Sequence, residues 1–132
     1  VFSRLGAYRD GYPVIKYNHY LTFGWNEEAW GAALQNRFKG GYEDCNCFVA
    51  PQYYDRVGVY SLWNLAGTYK FSDALVITVH VDNLFNTNPP FTNQEDSNCT
   101  GCDLRFIDPT GRAFGLTLTG KFGGSGMARK PQ

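Results

Sequence analysis

The sequence predicts an all-β chain: an antiparallel, up-and-down run of about five strands, of the kind that walls a transmembrane β-barrel. Three observations predict it. Period-two alternation of apolar and polar residues recurs along the 132 residues. The composition is aromatic-rich at 17%, with 15 glycines, which favours sheet over helix. The connections between the alternating segments are short and long in turn, which places all short ones at one end of a sheet.

The segments follow in order. From Lys16 to Trp25 the odd positions carry Tyr17, His19, Leu21, Phe23 and Trp25, and the even ones Asn18, Tyr20, Thr22 and Gly24. From Trp30 to Tyr42 the apolar set is even, Trp30, Ala32, Leu34 and Phe38, with Asn36 among them; Gln35, Arg37 and Lys39 oppose it. From Val57 to Phe71 the odd set includes Trp63, Leu65, Tyr69 and Phe71, against Tyr60, Asn64, Thr68 and Lys70. From Leu75 to Phe85, Leu75, Ile77, Val79 and Val81 oppose Thr78, His80 and Asp82. From Arg112 to Phe122, Phe114, Leu116, Leu118 and Phe122 oppose Gly115, Thr117, Thr119 and Lys121. Runs of about 10–15 residues exceed the usual strand of a soluble sheet and suit a tilted membrane crossing. Trp25, Trp30, Tyr69, Phe71 and Phe122 gather near one set of ends, as interfacial aromatics do.

The turns at 26–28 and 72–74 are tight. The connections at 43–55 and 86–111 are long and hold the four cysteines, Cys45, Cys47, Cys99 and Cys102. Three roles compete for these: disulfides of an extracytoplasmic protein, a zinc site made by all four thiolates, and a CxxC redox pair. The wide spacing between the pairs and the Asn/Asp/Gly-rich setting of Cys99–Cys102 favour disulfides and no metal.

Charge excludes other classes. Lys plus Arg and Asp plus Glu both total 12, so the basic surplus of a nucleic-acid binder is missing and no nucleic-acid partner is expected. There is no apolar run long enough for a transmembrane helix. The opening Val1-Phe2-Ser3-Arg4 shows no leader pattern, so the chain reads as a mature product or a fragment. The run Gly123-Gly124-Ser125-Gly126 reads as the start of a flexible tail over 123–132, natural or engineered.

Several motifs carry a resemblance. Asn83-Leu84-Phe85, followed by Pro89-Pro90-Phe91, resembles the NLF…PPF segment of TonB-dependent outer-membrane receptors. Asp103-Leu104-Arg105-Phe106-Ile107-Asp108-Pro109-Thr110-Gly111-Arg112-Ala113-Phe114 is similar to their DPRY…DP-x-GR-x-F run. Leu118-Thr119-Gly120-Lys121-Phe122 resembles their closing strand, and the stretch from Trp25 to Tyr42 their W…WGA hairpin. The resemblance spans residues 14–122, with 1–13 left as a loop or the end of a preceding strand.

It implies the C-terminal part of a barrel of about 22 strands. Its remaining strands, plug domain and TonB-contacting region would lie elsewhere in the receptor. It further implies the outer membrane of a Gram-negative cell, lipid against the apolar sets, and a short-turn side facing the periplasm. The activity implied is energy-dependent uptake of a scarce ligand, such as a siderophore–metal chelate or a cofactor. The polar sets, with Arg37, Lys39, His80 and Asp82, would face the lumen or plug. Tyr53, Tyr54, Phe91 and Arg105, in or beside the long connections, are candidate ligand contacts. No nucleophile–base pair or phosphate loop is evident, so neither catalysis nor a resident cofactor is expected. The alternative is a soluble, secreted, disulfide-stapled β-sandwich or small barrel that binds a partner, since a half-buried sandwich strand alternates in the same way.

Overall fold

The computed structural model describes residues 6–9, 12–46, 53–93 and 101–121. The fold is all-β. Among the described residues nine strands form two sheets: β1 (Ala7–Arg9), β2 (Tyr12–Val14), β3 (Asn18–Asn26), β4 (Trp30–Lys39), β5 (Tyr42–Asn46), β6 (Tyr53–Val57), β7 (Tyr60–Ser72), β8 (Leu75–Asp82) and β9 (Ala113–Gly120). The larger sheet is an antiparallel meander in the order β3-β4-β7-β8-β9. The smaller has the order β2-β1-β5-β6.

Because side chains alternate along a strand, register decides which residues share a face. The ladders hold one parity across all five strands. Phe23 pairs with Leu34, Leu34 with Leu65, Leu65 with Val81, and Val81 with Phe114. The next row of that face is Trp25, Ala32, Gly67, Val79 and Leu116. The opposite face carries Tyr20, Arg37 and Leu62 in one row and Thr22, Gln35 and Asn64 in another. The two faces are those the alternation predicts.

No other described element covers the apolar face. Leu21, Phe23, Trp25, Trp30, Leu65, Tyr69, Val79, Phe114, Leu116 and Leu118 on it are all exposed, Phe114 at 75%. Among the described residues of that face the one deeply buried polar side chain is Asn36, and it is satisfied. His19 Nε2 lies 2.9 Å from Asn36 Oδ1, and Asn36 Nδ2 donates to Ser61 Oγ at 3.0 Å and to the Leu62 carbonyl at 3.1 Å. Two aromatic groups bracket the face. Trp25 stacks on Trp30 at 6.2 Å by the short turns; His19 stacks on Phe38 at 5.1 Å, with Tyr17 tilted against both, at the other end. The expected cluster at the short-turn end is therefore only half of the pattern. Phe122 lies outside the described residues.

The long connections depart most from expectation. Residues 43–55 are predicted as a loop, yet β5 and β6 continue the β4–β7 hairpin: Lys39 pairs with Tyr60 and Tyr42 with Val57, one unbroken register. The ladder skips 40–41 and 58–59, where the hairpin bends. A Cβ on Gly41 would run into the Val57 carbonyl oxygen, so glycine permits the close approach there. The bend carries Tyr42 and Val57 off the apolar face and buries both. The last two strands are also shorter than predicted, with eight residues each in β8 and β9.

The core sits at the long-connection end, on the polar side of the large sheet. Phe106, 1% exposed, meets Tyr42 edge-on at 5.1 Å and Tyr60 at 6.4 Å, beside Val57, Leu62, Cys102 and Ile107. Asn83 starts the connection that delivers Phe106. Its φ of 50° ends β8, and its side chain clasps Thr87 from both sides: Nδ2 donates to the Thr87 carbonyl at 3.0 Å, and Oδ1 accepts from the Thr87 amide at 2.7 Å. Asn83 tolerates this conformation and is 3% exposed. Replacing Asn83 by Ala should cost about 2–3 kcal/mol of stability, by leaving two half-buried backbone groups of Thr87 without their partner and straining φ. Asn83→Gly should cost about 1 kcal/mol less, because it removes only the bonds. Thermal unfolding of the two variants checks the order.

Candidate functional site

The polar face and the returning segment at 108–111 enclose a recess of about 480 Å³. The sheet builds its floor from alternate positions: Tyr20 from β3, Gln35 and Arg37 from β4, Leu62 and Asn64 from β7, and Asp82 from β8. Asn83, Asp108, Thr110 and Gly111 form its upper wall. Such a volume suits a small ligand or a polypeptide segment.

The wall is fixed by backbone contacts. Tyr60 Oη donates to the Asp108 carbonyl at 2.8 Å, and Lys39 Nζ donates to the Phe106 carbonyl while lying 5.3 Å from the centre of the Phe106 ring. Lys39 is thus on the polar face as expected, but it serves as a strut. Asn64 Oδ1 accepts from the Asn83 amide at 2.9 Å and ties the recess to the end of β8. Asn86 Oδ1 accepts from the Arg112 amide at 3.1 Å and closes the connection onto β9.

The charged groups in the recess differ in what holds them. Asp108 is occupied: its Oδ1 accepts from the Thr110 amide at 2.9 Å, and the Thr110 hydroxyl bonds it too. These bonds, and the Arg37 charge more weakly, hold its carboxyl below the ordinary carboxylate range. Asp82 Oδ2 stands 4.0 Å from Nε2 of His80, the neighbouring polar-face position of β8. His80 lies over Gly115 of β9, where a Cβ would strike its ring. Arg37 is held by no hydrogen bond or ion pair among the described residues.

Sequence reasoning places Arg37, Lys39, His80 and Asp82 together, and the structure puts all four on one face. It does not bring Phe91 or Arg105 to them. Phe91 is exposed and packs against Gly101. Arg105 is no free cation: its Nε donates to Asp103 Oδ1 at 2.9 Å within a tight turn, and the Asp103 side chain is fully buried. Tyr53 and Tyr54 pair through their backbones with Asn46 and Cys45, and their side chains lie outside the described residues. The contributions of Tyr20, Gln35, Asn64 and Asp108 are not anticipated by the sequence. Alternation puts the first three on the polar face, but only the fold of the returning segment shows which polar positions it roofs.

Cys102 is disulfide-bonded. Cys47 and Cys99 lie outside the described residues, as does the tail at 123–132, and of Cys45 only the backbone is described. Among the described residues no group of three or more His, Cys, Asp or Glu side chains is placed to hold a metal ion. No protein-family model matches the chain, and no curated protein matches it.

Asp108 supports a pH prediction. Its folded-state pKa lies below the ordinary value, so its contribution to docking the 108–111 segment is complete above about pH 4 and fades as pH falls through the folded-state value. The Thr110 amide resonance, followed on acidification, should move with a midpoint below 3.8. A midpoint at or above that value would remove the bonds to Thr110 as the cause.

Proposed function

We propose that this chain is wall from the C-terminal part of a TonB-dependent outer-membrane receptor, a transporter for energy-dependent uptake of a scarce ligand such as a siderophore–metal chelate or a cofactor. The observation that carries the reading is the uncovered apolar face of the five-stranded sheet, backed by an opposite face that is polar and furnished with charge. In water, large apolar faces of this kind are covered by protein. In a bilayer they are the normal outer surface of a barrel, and the polar face lines the interior.

Three further features support it. The aromatic groups at the two ends of β4, Trp30 and Phe38, stand eight residues apart, about 26 Å along the strand, which at a tilt of about 40° spans about 20 Å, most of an apolar band about 25 Å tall. Asn36, the buried polar side chain on the apolar face, has its hydrogen bonds made within the sheet, as hydrocarbon surroundings favour, although Nδ1 of its partner His19 has none. Strand direction gives the third. In the meander β3 and β9 run the same way. Copies of this sheet facing the same side would meet in parallel, so an all-antiparallel ring needs an odd number of other strands. A receptor barrel of about 22 strands leaves about 17. The chain's partners on this reading are lipid, those strands, the plug and the TonB complex.

The alternative, a soluble secreted sandwich or barrel stapled by disulfides, needs a second layer over the apolar face, and the described residues supply none. Partition into lipid vesicles separates the two readings. The chain should require detergent or lipid to stay dispersed. Leu116→Arg should weaken vesicle partition by about 2 kcal/mol or more, and Thr117→Arg on the opposite face by much less. A detergent-free monodisperse monomer, equally indifferent to both substitutions, would support the sandwich.

A further inference from the structure

From the sorting of charges in the recess we infer that it binds a zwitterion of short-peptide length, its carboxylate on Arg37 and its ammonium towards Asp82. This deepens the receptor reading and rests on it in one respect, that the polar face is the water-filled side. The argument starts from what is already satisfied. Asp108 is occupied by Thr110, and Lys39 by the Phe106 carbonyl. Arg37 lines the cavity with its guanidinium in no hydrogen bond or ion pair among the described residues, its charge acting only weakly on Asp108. A guanidinium presents a planar fork of donors that matches a carboxylate in two parallel bonds.

The charge count narrows the class. One guanidinium shares the recess with two carboxylates, Asp82 and Asp108. A dianion such as a phosphate ester would meet net repulsion, whereas a ligand with one carboxylate and one ammonium matches Arg37 and Asp82 one for one, Asp108 being already held by its bonds to Thr110. Spacing narrows it again. Arg37 is on β4 and Asp82 on β8, with β7 between them. Arg37 pairs with Leu62, two residues short of the Asn64 row that borders β8. Strand spacing and rise then put the two Cα atoms about 12 Å apart. After the reach of both side chains, the gap suits charges separated by a dipeptide rather than by a single amino acid. Leu62 supplies apolar floor, and Tyr20 and Gln35 can donate to the ligand's amide carbonyl.

The test uses the full chain in detergent micelles and dialanine as probe, with N-acetyl-dialanine and dialanine amide as its singly capped forms. Calorimetric titration should detect dialanine binding, with each capped form at least tenfold weaker. Arg37→Gln should weaken dialanine at least tenfold and should bind dialanine and its amide equally, because the carboxylate has lost its partner. Asp82→Asn should erase the penalty for acetylation in the same manner. Arg37→Lys, which keeps charge but not the fork, should fall between. Since no bond holds Arg37 among the described residues, the variants should retain the far-ultraviolet spectrum. Absence of dialanine binding, or an Arg37→Gln variant that still discriminates against the amide, overturns the inference and leaves the receptor reading standing. A chain that disperses without detergent overturns the receptor reading whatever dialanine does.

Discussion

Side-chain parity governs this molecule. Five strands hold one register, so every second residue from Leu21 to Leu118 arrives on the same side of the sheet. A slip of one residue in any ladder would send a strand's apolar side chains into the polar recess and its lysines and arginines outward. The register thus joins two properties that are otherwise separate: one face of aromatic and aliphatic groups, and an opposite face that can carry charge. Each large side chain on the apolar face is worth about 1.5–3 kcal/mol once removed from water. In the sheet as it stands that energy is unrealised. Either a medium or another layer must supply it, and the chain has committed its own loop core to the other side.

That loop core explains how the polar face becomes a site. Strand β8 stops because Asn83 turns the chain with a positive φ and clasps Thr87. The connection then comes back over the sheet, where Phe106 seats among Tyr42, Tyr60 and Val57, and Asp108 and Thr110 close the recess. Bonds to backbone carbonyls from Lys39 and Tyr60 hold it down. Residues that carry the NLF and DP-x-GR resemblance help to build this return in the structure: Asn83, with the neighbouring Asn86, shapes its start, and Asp103 and Asp108 cap its turns. They position the site more than they line it.

The faces of the sheet were legible in the sequence because alternation is a local property that pairing only propagates. Arg37, Lys39, His80 and Asp82 were placed on the polar face by counting alone. The continuation of the hairpin through β5 and β6 was not legible. Gly40-Gly41 interrupts the pattern, and Tyr42-Glu43-Asp44-Cys45 does not alternate, since the bend buries Tyr42 and Asp44 alike. The fate of Arg105 was hidden for a related reason. A loop arginine reads as available until the fold shows an aspartate two residues away that is fully buried and needs its charge balanced. Lys39 illustrates the limit within a correct assignment: parity gives its face, but the carbonyl it meets comes from a residue far along the chain.

The central claim is that acyl chains, not protein, meet the apolar face. Spin labels placed one at a time along β8, in the chain reconstituted in lipid vesicles, test it most directly. Oxygen, which concentrates in hydrocarbon, should relax labels at Ile77, Val79 and Val81, and a water-soluble nickel chelate should relax those at Thr78, His80 and Asp82, in strict alternation. Labels at the odd positions that are shielded from both agents, or that respond to nickel, would mean that protein or water lies against that face and would contradict the account.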